Sequence, residues 1–262
     1  TPSRHLGLVP AAERAAEATA GVDRLGELVA RCVDLDAVLA VARRVPALRC
    51  PPWDATAEVG RQGERERPHA TVALASGPAF TFAYAETAEL LRAAGVEVVP
   101  VDPLRDAALP DGATGLYLGG GFPEVYSPAL AANEPLRRAV ASFRGAVYAE
   151  CAGLLYLCRS LDGHAMTGVL DADARMAARL VLGYRDGRAP AETLVASAGD
   201  AVSGHEFHRT EVTPAHGSFP AWRLGNRAEG FATERVLASY LHVHWAGHPA
   251  MARRFAARAV AA

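Results

Sequence analysis

Hydrophobic and polar positions alternate along this chain in two distinct regimes. Near the N-terminus the apolar residues recur at helical spacing, and residues 11–31 and 34–44 read as two helices. Asp34 stands at the second start as an N-cap, with Leu35, Val38, Leu39 and Val41 along one face. The stretch CPPWDATAEVGRQGERERPH, residues 50–69, is rich in Pro, Gly and charge and has little periodicity, so it reads as a linker. From residue 70 short apolar runs take over. Thr71–Ala75, Val96–Val101, Gly115–Leu118 and Ala146–Ala149 read as buried strands. Residues 84–94, residues 128–143 and the stretch following Cys151 read as helices between them. Beyond residue 165 strands dominate, at Leu180–Tyr184, Glu206–Val212 and Leu237–Val243, and a final helix is expected from Pro249 to Ala262. Strands alternating with helices predict an α/β layered fold around a mostly parallel sheet.

Composition narrows the chemistry. The 262 residues are 50% hydrophobic and 21% charged, as in a globular protein that buries a core. A formal net charge of −2 gives no electrostatic footprint for nucleic acid, and no apolar run of transmembrane length occurs. All 27 basic residues are Arg, so neither a P-loop lysine nor a lysine Schiff base is available within these residues. The first residue is Thr and no signal pattern follows, which reads as a processed or truncated piece. The four cysteines, Cys32, Cys50, Cys151 and Cys158, form no CxxC pair, so reduced thiols and a cytoplasmic location are expected.

Four segments carry candidate chemistry. In Tyr148-Ala-Glu-Cys-Ala-Gly153 an apolar strand runs into Cys151, and a helical run follows. A strand turning abruptly into a helix exposes its corner side chain and aims the first helical N–H groups at the same point, favouring a thiolate and an oxyanion. The alternative is a small buried core cysteine. In Leu116-Tyr-Leu-Gly-Gly-Gly-Phe-Pro-Glu124 three glycines at a strand end allow close backbone approach to a ligand, or make an ordinary turn. The spacing is not that of a dinucleotide site. In Ala238-Ser-Tyr-Leu-His-Val-His-Trp245 strand alternation would put His242 and His244 on one face, as a base for a thiol or as two metal ligands lacking an evident third. In Gly204-His-Glu-Phe-His-Arg209 alternation pairs His205 with Phe207 and Glu206 with His208; the second pair could orient a catalytic group or be a satisfied polar pair. His5, His69, His164, His216 and His248 fall in loop-like contexts and are expected at the surface.

Taken in order, GGGFPE, AECAGLLYL, GHEFHR and SYLHVHW resemble the glutamine amidotransferase domain of cobyrinic and hydrogenobyrinic acid a,c-diamide synthases, over roughly residues 70–250. The opening SRHLGLVPAAE resembles the tail of the family's N-terminal ATP-dependent synthetase domain. The resemblance implies residues 1–50 as that helical tail, 51–69 as linker, and 70–262 as a class I (triad-type, flavodoxin-like) amidotransferase domain. It implies L-glutamine as ammonia donor for Mg-ATP-dependent amidation of corrin a- and c-carboxylates at a synthetase site outside this chain. No cofactor or metal is expected in the chain itself, and a homodimer is left open. Carried over by motif, Cys151 is the nucleophile and His242 its base, with Gly120, Gly121 and Ala152 around the oxyanion. His244, Glu206 and His208 are candidates for a supporting shell. Two departures stand out. Ala149 replaces a Gly two residues before the nucleophile, and His244 replaces the Glu expected two residues after the catalytic histidine. The second implies a Cys–His dyad without an orienting acid. An amidase of another tetrapyrrole, including a cobyric acid synthase, and a catalytically silent docking domain are the alternative readings.

Overall fold

The computed structural model describes residues 15–47, 49, 53–60 and 70–262. The start of the first expected helix, much of the expected linker, His5, His69 and Cys50 lie outside the described residues. The chain divides into two compact units, Thr1–Asp54 and Ala55–Ala262. The first contains α1 (Ala15–Cys32) and α2 (Leu35–Arg43). Asp34 caps α2 as expected, its carboxylate accepting from the Ala37 amide at 2.9 Å.

The second unit opens with α3 (Ala55–Val59), inside the stretch expected to be linker. Val59 is buried, and Arg253 donates to the carbonyls of Glu58 at 3.2 Å and Val59 at 3.3 Å, so tertiary contacts supply what periodicity did not. Then follow β1 (Thr71–Ala75), α4 (Ala85–Ala93), β2 (Glu97–Val101), β3 (Ala113–Leu118), α5 (Ser127–Ala132), α6 (Glu134–Ser142), β4 (Ala146–Glu150) and α7 (Ala152–Leu157). The single helix expected over 128–143 is two. Pro135 cannot continue a preceding helix, and Asn133 ends α5 and caps α6. The remainder is strand-rich: β5 (Ser160–Leu161), β6 (His164–Ala165), β7 (Asp173–Arg188), β8 (Ala201–Thr213), β9 (Trp222–Leu224), β10 (Arg227–Glu229), β11 (Phe231–Ala232) and β12 (Val236–Ser239), closed by α8 (Pro249–Val260).

The central sheet runs β11-β12-β4-β3-β1-β2. Its β12, β4, β3, β1 and β2 are parallel, with β11 antiparallel at the edge. Alternation along the middle strands divides the core. Leu116, Leu118, Val147 and Ala149 pack on one face with Leu154, Leu155 and Tyr156 of α7. Tyr117 and Tyr148, paired across β3 and β4, stack at 5.1 Å on the other face, closed by Trp245 and by Phe255 of α8. A second sheet, β10-β9-β7-β5-β6 with β8 on β7, holds the long β7–β8 hairpin.

Strand β12 stops at Ser239, short of the expected Val243. Glu229, buried at the end of β10, explains the break. It accepts the Tyr240 amide at 2.7 Å and the Ser239 hydroxyl at 2.6 Å, and Ser239 Oγ in turn accepts the Leu241 amide at 2.9 Å. These amides leave the ladder, and the chain continues irregularly to His242, which bridges antiparallel to His205 of β8.

Candidate active site

Cys151 sits where β4 ends and α7 begins, at the C-terminal edge of the parallel strands, where open α/β sheets bind ligands. Its backbone has φ +50° and ψ −101°, a conformation a non-glycine residue adopts at a cost of about 1–3 kcal/mol. Surrounding bonds hold it there. The Cys151 amide donates to Ser239 O at 2.8 Å, the Cys151 carbonyl accepts from Leu155, and the Gly153 amide donates to Gly119 O at 3.0 Å. Gly153 is required for this approach, because a Cβ there would lie 2.3 Å from Leu118 O. The corner is therefore built from three neighbouring segments, which together fix the position of the thiol at the sheet edge.

His242 is buried there beside it, 5% exposed. Burial alone would lower its pKa, but the charge and close approach of Cys151, followed by those of Glu150, outweigh this and raise it to about 10. The imidazole is clamped on three sides. The ring of His205 stacks on it at 4.8 Å and 9°, and backbone bonds His205 N to His242 O (3.0 Å) and His242 N to His205 O (2.8 Å) fix the two chain segments. Gly120 lies against a third side, where a Cβ would come within 2.6 Å of His242 Cε1. His205 is shifted downward by its own burial and then by the charge of His242.

The fourth neighbour is Glu150, which sequence reasoning missed. Its Oε1 stands 3.7 Å from His242 Nδ1, while Oε2 accepts the Tyr148 hydroxyl at 3.2 Å and the Val243 amide at 3.4 Å. Glu150 is 1% exposed, and Oε1 has no hydrogen bond among the described residues. Burial, and then the Glu150 charge, hold the Tyr117 and Tyr148 phenols well above their ordinary values. The signal was in the sequence: strand alternation puts Glu150 on the face of Tyr148, toward the segment carrying the histidine.

Three other candidates, His244, Glu206 and His208, fall elsewhere. His244 does not share a face with His242. The expected alternation fails because the strand has ended; His244 turns to Tyr84, ring centroids 4.4 Å apart, and its Nε2 lies 3.4 Å from Glu86 Oε2. Glu206 and His208 do lie on one side of β8, but away from the imidazole. Glu206, fully buried, accepts from Arg185 at 2.6 Å and Arg227 at 2.7 Å, with His208 Nε2 at 3.9 Å. Burial raises the Glu206 carboxyl, but the neighbouring His208 imidazole, the hydrogen bond and charge of Arg227 and the hydrogen bond from Arg185 bring it down to about 2. His208 stacks on Tyr240 and its Nδ1 meets Thr210 O at 2.8 Å. The residue of that motif touching His242 is His205. In the glycine turn, the Gly120 amide donates to Phe82 O at 3.0 Å and its carbonyl accepts from Phe82, so Gly120 shapes the pocket by lacking a side chain. Ala152 opens α7, where the first amides have no helical partner. His248 accepts from the Ser203 amide at 3.2 Å. Among the described residues no group of three His, Cys, Asp or Glu could hold a metal, and no helix is long and apolar enough to cross a membrane.

The family model for the CobB/CobQ-like glutamine amidotransferase domain matches residues 71–250, the segment that builds this corner and its imidazole. The chain belongs to that family. Relatives named hydrogenobyrinate a,c-diamide synthase are 52% identical in Streptomyces coelicolor, over 98% of this chain and 60% of the relative, and 54% identical in Thermobifida fusca, over 98% and 57%. A relative from Syntrophotalea carbinolica named cobyrinate a,c-diamide synthase is 38% identical over 97% of this chain and 58% of its own length. The chain thus spans about three-fifths of the length of these curated relatives. Among solved structures, a GMP synthase subunit from Thermoplasma acidophilum superposes with a TM-score of 0.55 at 14% identity, over 73% of this chain and 94% of that one, which shows the α/β fold of the amidotransferase family.

Proposed function

We propose that this chain is the glutaminase part of an enzyme that amidates the a- and c-carboxylates of a corrin acid, with hydrogenobyrinate as the acid. The observation that carries the glutaminase half is the strained Cys151 corner with His242 buried against it. Cys151 Sγ attacks the glutamine carboxamide carbon, and the carbonyl oxygen becomes an oxyanion facing the amides of Ala152 and Gly121. The imidazolium of His242 gives its proton to the departing nitrogen, the C–N bond breaks, and ammonia leaves a glutamyl thioester. His242 then takes a proton from water, which attacks the thioester and releases glutamate and the thiol.

The choice of hydrogenobyrinate follows the relatives so named, at 47–54% identity, against 35–38% for those named for cobyrinate. Activation of the carboxylate by Mg-ATP is assigned to a synthetase site outside these residues, since the sequence has no lysine for a P-loop. A free catalytic thiol suits a reducing, cytoplasmic setting. The test is Cys151→Ala in the full-length enzyme supplied with hydrogenobyrinate. Glutamine-dependent amidation is expected to vanish while ammonia-dependent amidation persists; loss of both would assign Cys151 a structural role instead.

A further inference from the structure

The arrangement around His242 contains an acid at a position where the resemblance offered none. Four segments face the imidazole: the Cys151 thiol from the turn into α7, the Glu150 carboxylate from β4, the His205 ring from β8 and the Gly120 backbone from the turn after β3. His244, two residues on, turns away to Glu86 and Tyr84. Among these neighbours Glu150 is the one acid. Its Oε2 is committed to Tyr148 and Val243, so the carboxylate cannot swing away, and its buried Oε1, without a hydrogen bond among the described residues, faces His242 Nδ1 at 3.7 Å.

We propose that Glu150, the residue immediately before the nucleophile, is the positioning acid of this site: it holds a proton on His242 Nδ1 and turns Nε2 toward the Cys151 thiol. The inference rests on the glutaminase reading. Its physical content is simple. A neutral imidazole has two tautomers, and a base acting through Nε2 needs the proton on Nδ1. A buried carboxylate with one unsatisfied oxygen beside Nδ1 selects that tautomer, since the alternative leaves an ionised oxygen buried without a donor. It also stabilises the imidazolium that forms when the thiol gives up its proton. Tying the acid to the nucleophile's own strand makes one backbone segment, Tyr148 to Cys151, set both the sulfur and the ring that serves it.

The experiment compares Glu150→Gln and Glu150→Asp with wild type, measuring glutamine turnover across pH together with thermal melting. For Glu150→Gln, kcat is expected to fall about 100-fold with KM changed less than about threefold, as for loss of a group that orients a catalytic one. The carboxylate favours protonated His242, so its removal lets the imidazolium deprotonate sooner, and the alkaline limb of the profile should move down by about 1–2 pH units. Glu150→Asp should restore part of kcat and of the limb. A Glu150→Gln enzyme with wild-type kcat, or one that loses kcat with its alkaline limb unmoved, would overturn the inference. An inert wild type would overturn the glutaminase reading and this inference with it. Should Glu150→Gln fail to fold, ¹⁵N-histidine spectra of wild type decide the matter: Nδ1 of His242 protonated through the active range supports the proposal, and a proton on Nε2 alone overturns it.

Discussion

Gly120→Ala tests the site through a single methyl group. The added Cβ would lie 2.6 Å from His242 Cε1, 3.3 Å from His242 Nδ1 and 3.2 Å from Phe82 Cβ. Carbon atoms rest comfortably at about 3.5–4.0 Å, so the ring must retreat by about 1 Å. It has little room to do so with His205 stacked on one face and Glu150 near Nδ1. Gly120 does not occupy a left-handed φ, so alanine fits the backbone there and the perturbation falls on the imidazole. A misplacement of about 1 Å costs on the order of 100-fold in rate, equivalent to about 2.7 kcal/mol of transition-state stabilisation. Overpacking should lower stability by about 1–3 kcal/mol, leaving a folded protein. Steady-state glutaminase kinetics with parallel melting curves make the measurement. A folded Gly120→Ala protein with kcat within about threefold of wild type would refute the placement of His242 against the glycine turn.

Two further predictions concern the buried acids. Glu206 is fully buried between Arg185 and Arg227, whose side chains are 31% and 50% exposed, so removing the acid leaves cations that reach water. Glu206→Ala should therefore cost about 1–2 kcal/mol, and the double change Arg185→Ala with Arg227→Ala about 3–5 kcal/mol because it strands a buried charge; denaturant titration giving the opposite order would contradict this network. Glu229 is raised by burial from 4.5 to about 7, against the opposing bonds from Ser239 and Tyr240. Between those values the folded state holds a proton that the unfolded state has released, so this residue's contribution to stability falls as pH rises from 4.5 to 7, by about 3 kcal/mol in all. Glu229→Gln should lack that decline, and stability curves of the two proteins running parallel from pH 4.5 to 8 would rule it out.

Much of the frame was legible because its signals are local. The buried runs of β1, β3 and β4, the glycine turn and the strand–helix corner at Cys151 each announce themselves within about ten residues, and alternation within β3 and β4 sorts Leu116 and Val147 from Tyr117 and Tyr148. What was hidden depends on partners distant in the chain. Strand β12 ends at Ser239 because Glu229 takes the next amide, and no apolar pattern at 237–243 records that. The same break separates His244 from His242. Helix α3 forms where tertiary packing, through Arg253 and Val59, stabilises five residues of weak periodicity. Glu150 is hidden for another reason: the family pattern points to an acid two residues after the histidine, whereas space rather than sequence distance decides which carboxylate meets Nδ1.

The pairing of Cys151 with His242 is tested most directly by a diazo-ketone analogue of glutamine, with the labelled peptide mapped by mass spectrometry. Mapping is needed because Cys32 is exposed and could react adventitiously. Wild type should take up one equivalent, on Cys151, and His242→Ala should react about 100-fold more slowly at that residue. Label confined to other cysteines, or a His242→Ala protein modified at Cys151 as fast as wild type, would contradict the account.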